Sequence, residues 1–313
     1  MRWVTCRYAD EERVGLVVDG AVHVLDVARP LLDLIGSGRT ELDEVAARLV
    51  RSPDAVVEWE DCVLLPPIPH PPSVRDALGF LEHARGCRRA YGRDPELGEV
   101  WYQVPAFYFG NPATVYGPYD DVPVAPGSRW FDFELEIAAV IGIGGSDLNQ
   151  RAAQDSIVGY TFFCDWTARD LQRMDTALGI GQGKGKDCGV TLGPWLLTSD
   201  EVEDRLAGEA LDLVVSAAVN GQELTHGTTA SMDWTFAEIV SFVSRGTTLR
   251  AGDVIGSGTL PGGCLLEHLN GDPATYGRWL RPGDVVSLTG DLLGRTEQRI
   301  VPGPEVHRLS TGY

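Results

Sequence analysis

Positive charge is scarce in this chain. Across 313 residues, 26 lysines and arginines stand against 45 aspartates and glutamates, a formal net charge of −19. So acidic a chain repels a nucleic-acid backbone and an anionic membrane surface, and neither is expected as a partner. Any anionic substrate must be met by a local cluster of cations. Long apolar runs are missing too: no stretch approaches the roughly 20 apolar residues of a membrane span. The opening Met1-Arg2-Trp3-Val4-Thr5-Cys6 lacks the apolar core of a signal peptide, so a cytoplasmic protein is expected. The six cysteines never form a CxxC pair. Zinc-ribbon and disulfide-scaffold readings fail on that spacing, leaving reduced, mostly buried thiols. Nucleotide motifs are incomplete. The glycine-dense loop Leu178-Gly-Ile-Gly-Gln-Gly-Lys184-Gly-Lys186-Asp187 breaks the GxxxxGK[ST] spacing, and Gly142-Ile-Gly144-Gly-Ser-Asp147 breaks GxGxxG at its last position. No internal repeat and no low-complexity segment stands out.

What is present reads as a mainly β, α+β protein with room for a full core. Two apolar runs at 14–18 and 21–25, split by Asp19-Gly20, predict a hairpin with a type I′ turn. Helical periodicity follows at 31–35 and 41–50. The proline-rich Leu65-Pro-Pro-Ile-Pro-His-Pro-Pro-Ser73 reads as a boundary, dividing a small N-terminal α+β domain (1–65) from a larger one (66–313). Beyond it, a helix is predicted over 74–91. Strands are predicted around Tyr108 and over 132–142, 157–165, 211–219, 253–257 and 285–288, with a helix over 231–244.

The chemistry concentrates in a few segments. In Phe131-Asp132-Phe133-Glu134-Leu135-Glu136-Ile137, period-two alternation puts Asp132, Glu134 and Glu136 on one face. Like charges about 7 Å apart at Cα repel unless something cationic sits between them, and a hard divalent cation would serve. A solvated edge strand would show the same alternation. Asp165 ends an apolar run just before a helix start, as a site carboxylate or a helix cap. Arg169 and Gln172 share one face of that helix. The predicted helix over 74–91 puts Asp76 and His83 two turns apart on one face, although a lone helical histidine is usually structural.

Taken in order, Asp76 with His83, the strand Phe133-Glu134-Leu135-Glu136, the segment Asp165-Trp-Thr-Ala-Arg169-Asp-Leu-Gln172, the Lys184 loop, Leu192-Gly-Pro-Trp195 and Gly258-Thr259-Leu-Pro-Gly-Gly263 ahead of Glu267 resemble the fumarylacetoacetate hydrolase family over about residues 66–302. The resemblance implies a mixed β-roll core with short helices, a homodimer, and a small 1,3-dicarbonyl acid as substrate. It implies Asp76, Glu134, Glu136 and Asp165 as ligands of Mg2+, or of Ca2+ or Mn2+. His83 then resembles the general base and Glu267 its orienting carboxylate. Arg169, Gln172 and Lys184 resemble the groups that hold developing negative charge, with Lys186 in place of Lys184 if the loop register differs. Tyr108 and Thr259 resemble substrate contacts. The activity implied is hydrolysis of a carbon–carbon bond in an acylpyruvate or fumarylacetoacetate-like acid. Decarboxylation or tautomerisation of a β-keto acid could use the same site, and a non-catalytic, metal-stabilised binding protein is the remaining alternative.

The chain departs from the family at three points. Leu78 stands where fumarylacetoacetase has a tyrosine, and Gly92 where it has a substrate-binding arginine, a role open to Arg88, Arg89 or Arg93. Gly86 stands where the short acylpyruvase branch has a glutamate three residues after its histidine. A His–Glu pair on one helix is therefore unavailable here.

Overall fold

The structure is a computed structural model describing residues 1–207, 210–269, 277–307 and 309. Its centre is a twelve-stranded mixed sheet whose middle strands are Val190–Thr198, Ile157–Asp165, Leu135–Ile141, Val254–Gly256 and Val74–Ala77, in that spatial order. A five-stranded sheet containing Val214–Val219, Val285–Gly290 and Gly294–Val301 lies apart from it. Between them sits the larger core, where Phe133, Leu135 and Ile137 cluster with Val215, Ala217 and Leu288.

The predicted hairpin is present as Glu11–Val18 and Ala21–Leu25, with positive φ at both Asp19 and Gly20, as a type I′ turn requires. Helix Arg39–Arg51 buries Leu42, Ala46 and Leu49, an i, i+4, i+7 stripe facing the sheet. The strands of residues 1–65 belong to the same sheet as the rest, because Arg2–Tyr8 pairs antiparallel with Val190–Thr198. Leu31, Leu42 and Leu49 accordingly share a core with Ala138, Val140 and Leu192.

Strand Leu135–Ile141 runs between two partners, Ile157–Asp165 and Val254–Gly256, so it is central and not a solvated edge. Alternation persists along it. Leu135, Ile137 and Ala139 face the larger core, while the face bearing Glu136 continues into Ala138 and Val140 against the N-terminal helices.

One predicted element is corrected. Residues 74–91 are not one helix: Val74–Ala77 is a buried strand, parallel to Val254–Gly256 and antiparallel to Phe107–Gly110, and the helix is Leu81–Ala90 only. Gly79 makes the break, its N–H donating to the carbonyl of Ser257 at 3.0 Å. The helix then starts with the N–H of Leu81 donating to Asp233 at 2.8 Å. Asp76 and His83 therefore share no helix face. Among the described residues no helix is long and apolar enough to cross a membrane.

Candidate active site

The sheet itself gathers the carboxylates. Asp76 comes from Val74–Ala77 and Glu136 from Leu135–Ile141, strands flanking Val254–Gly256 on either side. At Gly256 between them, an added Cβ would lie 2.4 Å from Asp76 Oδ1 and 3.0 Å from Glu136 Oε2, so only glycine lets the two acids converge. Gly258, in the left-handed region at φ +82°, turns its N–H to both acids, at 3.2 Å from Asp76 Oδ1 and 2.9 Å from Glu136 Oε2. Thr259 donates its hydroxyl to Glu136 Oε1 at 3.2 Å. With Glu134, these acids bring ligand oxygens within 4.8 Å of one another, all buried. Burial, and for Glu136 the neighbouring Asp76, pushes the carboxyls of Asp76 and Glu136 up from their ordinary range.

Cations hold the other side. The ammonium of Lys186 donates to both Glu134 Oε2 and Asp165 Oδ2, and the guanidinium of Arg169 pairs with Glu134 Oε1 at 2.7 Å. Against the cost of burial, these two cations hold Glu134 below its usual range. Burial pushes Asp165 up to about 7 despite Lys186. Asp165 is no helix cap, since helix Arg169–Ala177 begins at Ala168 without a side-chain cap. It joins the carboxylate group through Lys186 and through the Tyr108 hydroxyl, which donates to Asp165 and to Asp76.

The lysine at the site is Lys186, not Lys184. Lys184 is 65 % exposed and pairs with Asp187, whereas Lys186 is 4 % exposed. Both lie in the 3₁₀ turn Lys184–Lys186, whose roughly 120° per residue sends positions two apart in different directions. Gln172 accepts from Arg169 Nη1 at 3.4 Å and donates to Gln182 at 2.9 Å. Asp132, on the acid face in the sequence, stands outside the carboxylate group. It accepts from Arg169 Nε at 2.8 Å and from the N–H groups of Leu265 and Leu266 at 2.8 and 3.1 Å.

His83 Nδ1 lies 2.8 Å from Glu267 Oε2. Burial opposes its protonation, but Glu267 overrides this and raises the imidazole pKa well above its ordinary value. The pair depends on Gly86, where an added Cβ would stand 2.4 Å from Glu267 Oε1. The missing helix glutamate is thus replaced by one from the turn Leu265–His268, and glycine makes the space.

A cavity of about 770 Å3 is lined by Asp76, Glu134, Glu136 and Lys186 together with His83. Arg88, Arg93 and Arg173 also line it; Arg89 turns away to Glu82. Arg173 was not singled out by the sequence, although it sits one residue after Gln172 on the helix that carries Arg169. Its guanidinium lies 5.1 Å from the Trp130 ring and 6.0 Å from the Tyr91 ring.

The donor set fits a hard divalent cation on two counts. Asp76, Glu134 and Glu136 offer only oxygen, the donor that magnesium, calcium and manganese prefer. The clustered acids Asp76, Glu134, Glu136 and Asp165 outnumber the buried cations Lys186 and Arg169, the latter shared with Asp132, and a divalent ion would offset the formal negative charge left over.

Comparison with known proteins identifies the family. Residues 73–301 match the family described as fumarylacetoacetate (FAA) hydrolase C-terminal. A putative hydrolase of Burkholderia cenocepacia is 28% identical over 290 residues, covering 92% of this chain and 95% of its own length. A probable 2-hydroxyhepta-2,4-diene-1,7-dioate isomerase from Mycobacterium abscessus is 28% identical with a TM-score of 0.73, covering 97% of this chain and 100% of that one. The fumarylacetoacetate hydrolase of Exiguobacterium antarcticum is 26% identical with a TM-score of 0.73, covering 96% and 99%. The chain belongs to the fumarylacetoacetate hydrolase family, shares its mainly β, α+β fold, and is an enzyme of that superfamily.

Proposed function

We propose that the enzyme hydrolyses a carbon–carbon bond in a small 1,3-dicarbonyl acid of the acylpyruvate or fumarylacetoacetate type. The observation that carries this reading is that His83, paired with Glu267, lines the same cavity as the carboxylate cluster. Asp76, Glu134 and Glu136, with Asp165 beside them, would hold a magnesium, calcium or manganese ion, which supplies Lewis acidity toward the dicarbonyl oxygens.

The chain's own groups account for the remaining steps. Glu267 fixes the imidazole through Nδ1, so that Nε2, 3.6 Å from the Cys87 sulfur, is the nitrogen that takes a proton from water. The resulting hydroxide adds to the carbonyl remote from the carboxylate. Lys186 and Arg169, already cationic and desolvated, stabilise the oxyanion without reorganising, and Gln172 braces Arg169. The bond between that carbonyl and the central carbon then breaks. Its electron pair passes to the central carbon as an enolate, which takes back the proton that His83 removed from water. An acylpyruvate and water thus give a carboxylate and pyruvate. Arg88, Arg93 and Arg173, on the cavity wall, would receive the acyl end where it carries a negative charge.

The relative named as an isomerase favours one second reading, enolate chemistry on the same site without hydrolysis. Product analysis separates the two. The magnesium-loaded enzyme is incubated with acetylpyruvate and, separately, with oxaloacetate. Equimolar acetate and pyruvate from the first, lost on chelation and restored by magnesium, supports hydrolysis. Carbon dioxide from the second, with acetylpyruvate intact, refutes it.

A further inference from the structure

A second cluster lies beside the first and has different chemistry. His83, Cys87, Cys264 and Glu267 bring their ligand atoms within 4.8 Å of one another. The Cys87 sulfur is 3.6 Å from His83 Nε2 and 3.9 Å from Nδ1, and the Cys264 sulfur is 3.3 Å from Glu267 Oε2. For metal–sulfur bonds of about 2.3 Å and metal–nitrogen or metal–oxygen bonds of about 2.0 Å, a tetrahedron has mixed edges of roughly 3.5 Å. Two of the mixed distances, Cys87 Sγ to His83 Nε2 and Cys264 Sγ to Glu267 Oε2, are already close to that length. It is also reachable, since His83 and Cys87 line the large cavity and Glu267 lines a neighbouring cavity of about 410 Å3.

We propose that His83, Cys87, Cys264 and Glu267 form a second metal site, selective for thiophilic divalent ions of the zinc class, and that filling it switches the enzyme off. Two sulfurs, one imidazole and one carboxylate select zinc or cobalt over magnesium, while the all-oxygen cluster suits hard ions such as magnesium. Binding displaces the thiol protons and any proton on the chosen ring nitrogen, so it strengthens as pH rises. It also takes the imidazole away from water, a consequence that rests on the reading of His83 as the base. The mechanism itself uses neither cysteine.

The test titrates cobalt into reduced protein held in excess magnesium, so that the oxygen site is already filled. One cobalt per chain with a near-ultraviolet thiolate-to-cobalt band and tetrahedral visible bands is expected, and zinc should displace it. Cys87→Ala and Cys264→Ala should each weaken cobalt binding by about 100-fold or more. Absence of the thiolate band, or cobalt affinity unchanged from wild type in both variants, overturns the site. Zinc should also inhibit the wild type, with Cys87→Ala resisting about tenfold more zinc relative to its own zinc-free rate. Zinc that binds with the thiolate signature but leaves turnover unchanged overturns the switch, and with it the role of His83, while the site itself stands.

Discussion

Replacing Gly86 with alanine separates two effects that usually move together. Gly86 lies inside the helix Leu81–Ala90, where exchanging glycine for alanine favours the helix by about 0.5–1 kcal/mol. The new methyl, however, would stand 2.4 Å from Glu267 Oε1 and 3.1 Å from Cγ and Cδ of the same side chain. Glu267 Oε1 must retreat by about 1 Å or more to restore ordinary contact. Its backbone cannot follow easily, because the N–H groups of Leu265 and Leu266 are held by Asp132. The side chain therefore swings, and the 2.8 Å link to His83 lengthens or breaks. Displacing a catalytic group by about 1 Å costs on the order of 100-fold in rate. We expect kcat to fall about 10- to 100-fold while KM stays within about threefold and the melting temperature holds or rises. The rate is followed by the loss of enol absorbance of acetylpyruvate, and stability by thermal melting of the same samples. A Gly86→Ala enzyme with wild-type kcat would refute the argument that Glu267 works through His83 in this geometry. A kcat loss accompanied by a collapse in melting temperature would show that the methyl disrupts packing instead.

Two further predictions follow from the charges. Glu267→Gln removes the carboxylate that raises the His83 pKa, so the ascending limb of kcat/KM against pH should move to lower pH, with a plateau lowered about 10²- to 10⁴-fold; an unmoved limb assigns the titration to another group. The raised imidazole pKa also means that the pair stabilises the fold below the ordinary histidine range, and that this contribution is lost as pH rises through the folded value, a dependence Glu267→Gln should abolish. Lys184→Met should leave kcat within about twofold, since its ammonium is exposed, whereas Lys186→Met should lose 100-fold or more and unfold in less urea. Stripping one partner from the buried Glu134–Lys186–Asp165 contact costs on the order of 3–5 kcal/mol, and equal losses in the two variants would contradict the assignment.

Much of this site is legible in the sequence because its parts are short and local. Period-two alternation puts Glu134 and Glu136 together, as they are in the site, and the Asp19-Gly20 dipeptide marks the hairpin of Glu11–Val18 and Ala21–Leu25. The failures have long-range causes. Val74–Ala77 looks helical beside Leu81–Ala90, yet its partners Val254–Gly256 and Phe107–Gly110 are distant in sequence, and they decide its state. The lysine register was ambiguous because Lys184 and Lys186, the only lysines in the chain, both follow a glycine. Reading Lys184 with Asp187 as a surface i, i+3 pair would have pointed to Lys186. Cys87 and Cys264 carry no mutual spacing signal, since the approach of the turn Leu265–His268 to the helix Leu81–Ala90 brings them together.

Asp132 shows why the acid face had to be read in three dimensions. By alternation it is equivalent to Glu134 and Glu136, but strand pairing changes at Phe133: Phe131–Asp132 pairs with Thr167–Ala168, and the next contact, at Glu134, is a single bridge to Cys264. That change turns Asp132 from the carboxylate group toward Arg169 and the turn bearing Glu267. One buried carboxylate thereby fixes both a cation that pairs with Glu134 and the backbone that delivers the partner of His83. Arg169 and the turn that delivers Glu267 to His83 are thus built against the same buried anchor, so a change at Asp132 should disturb both.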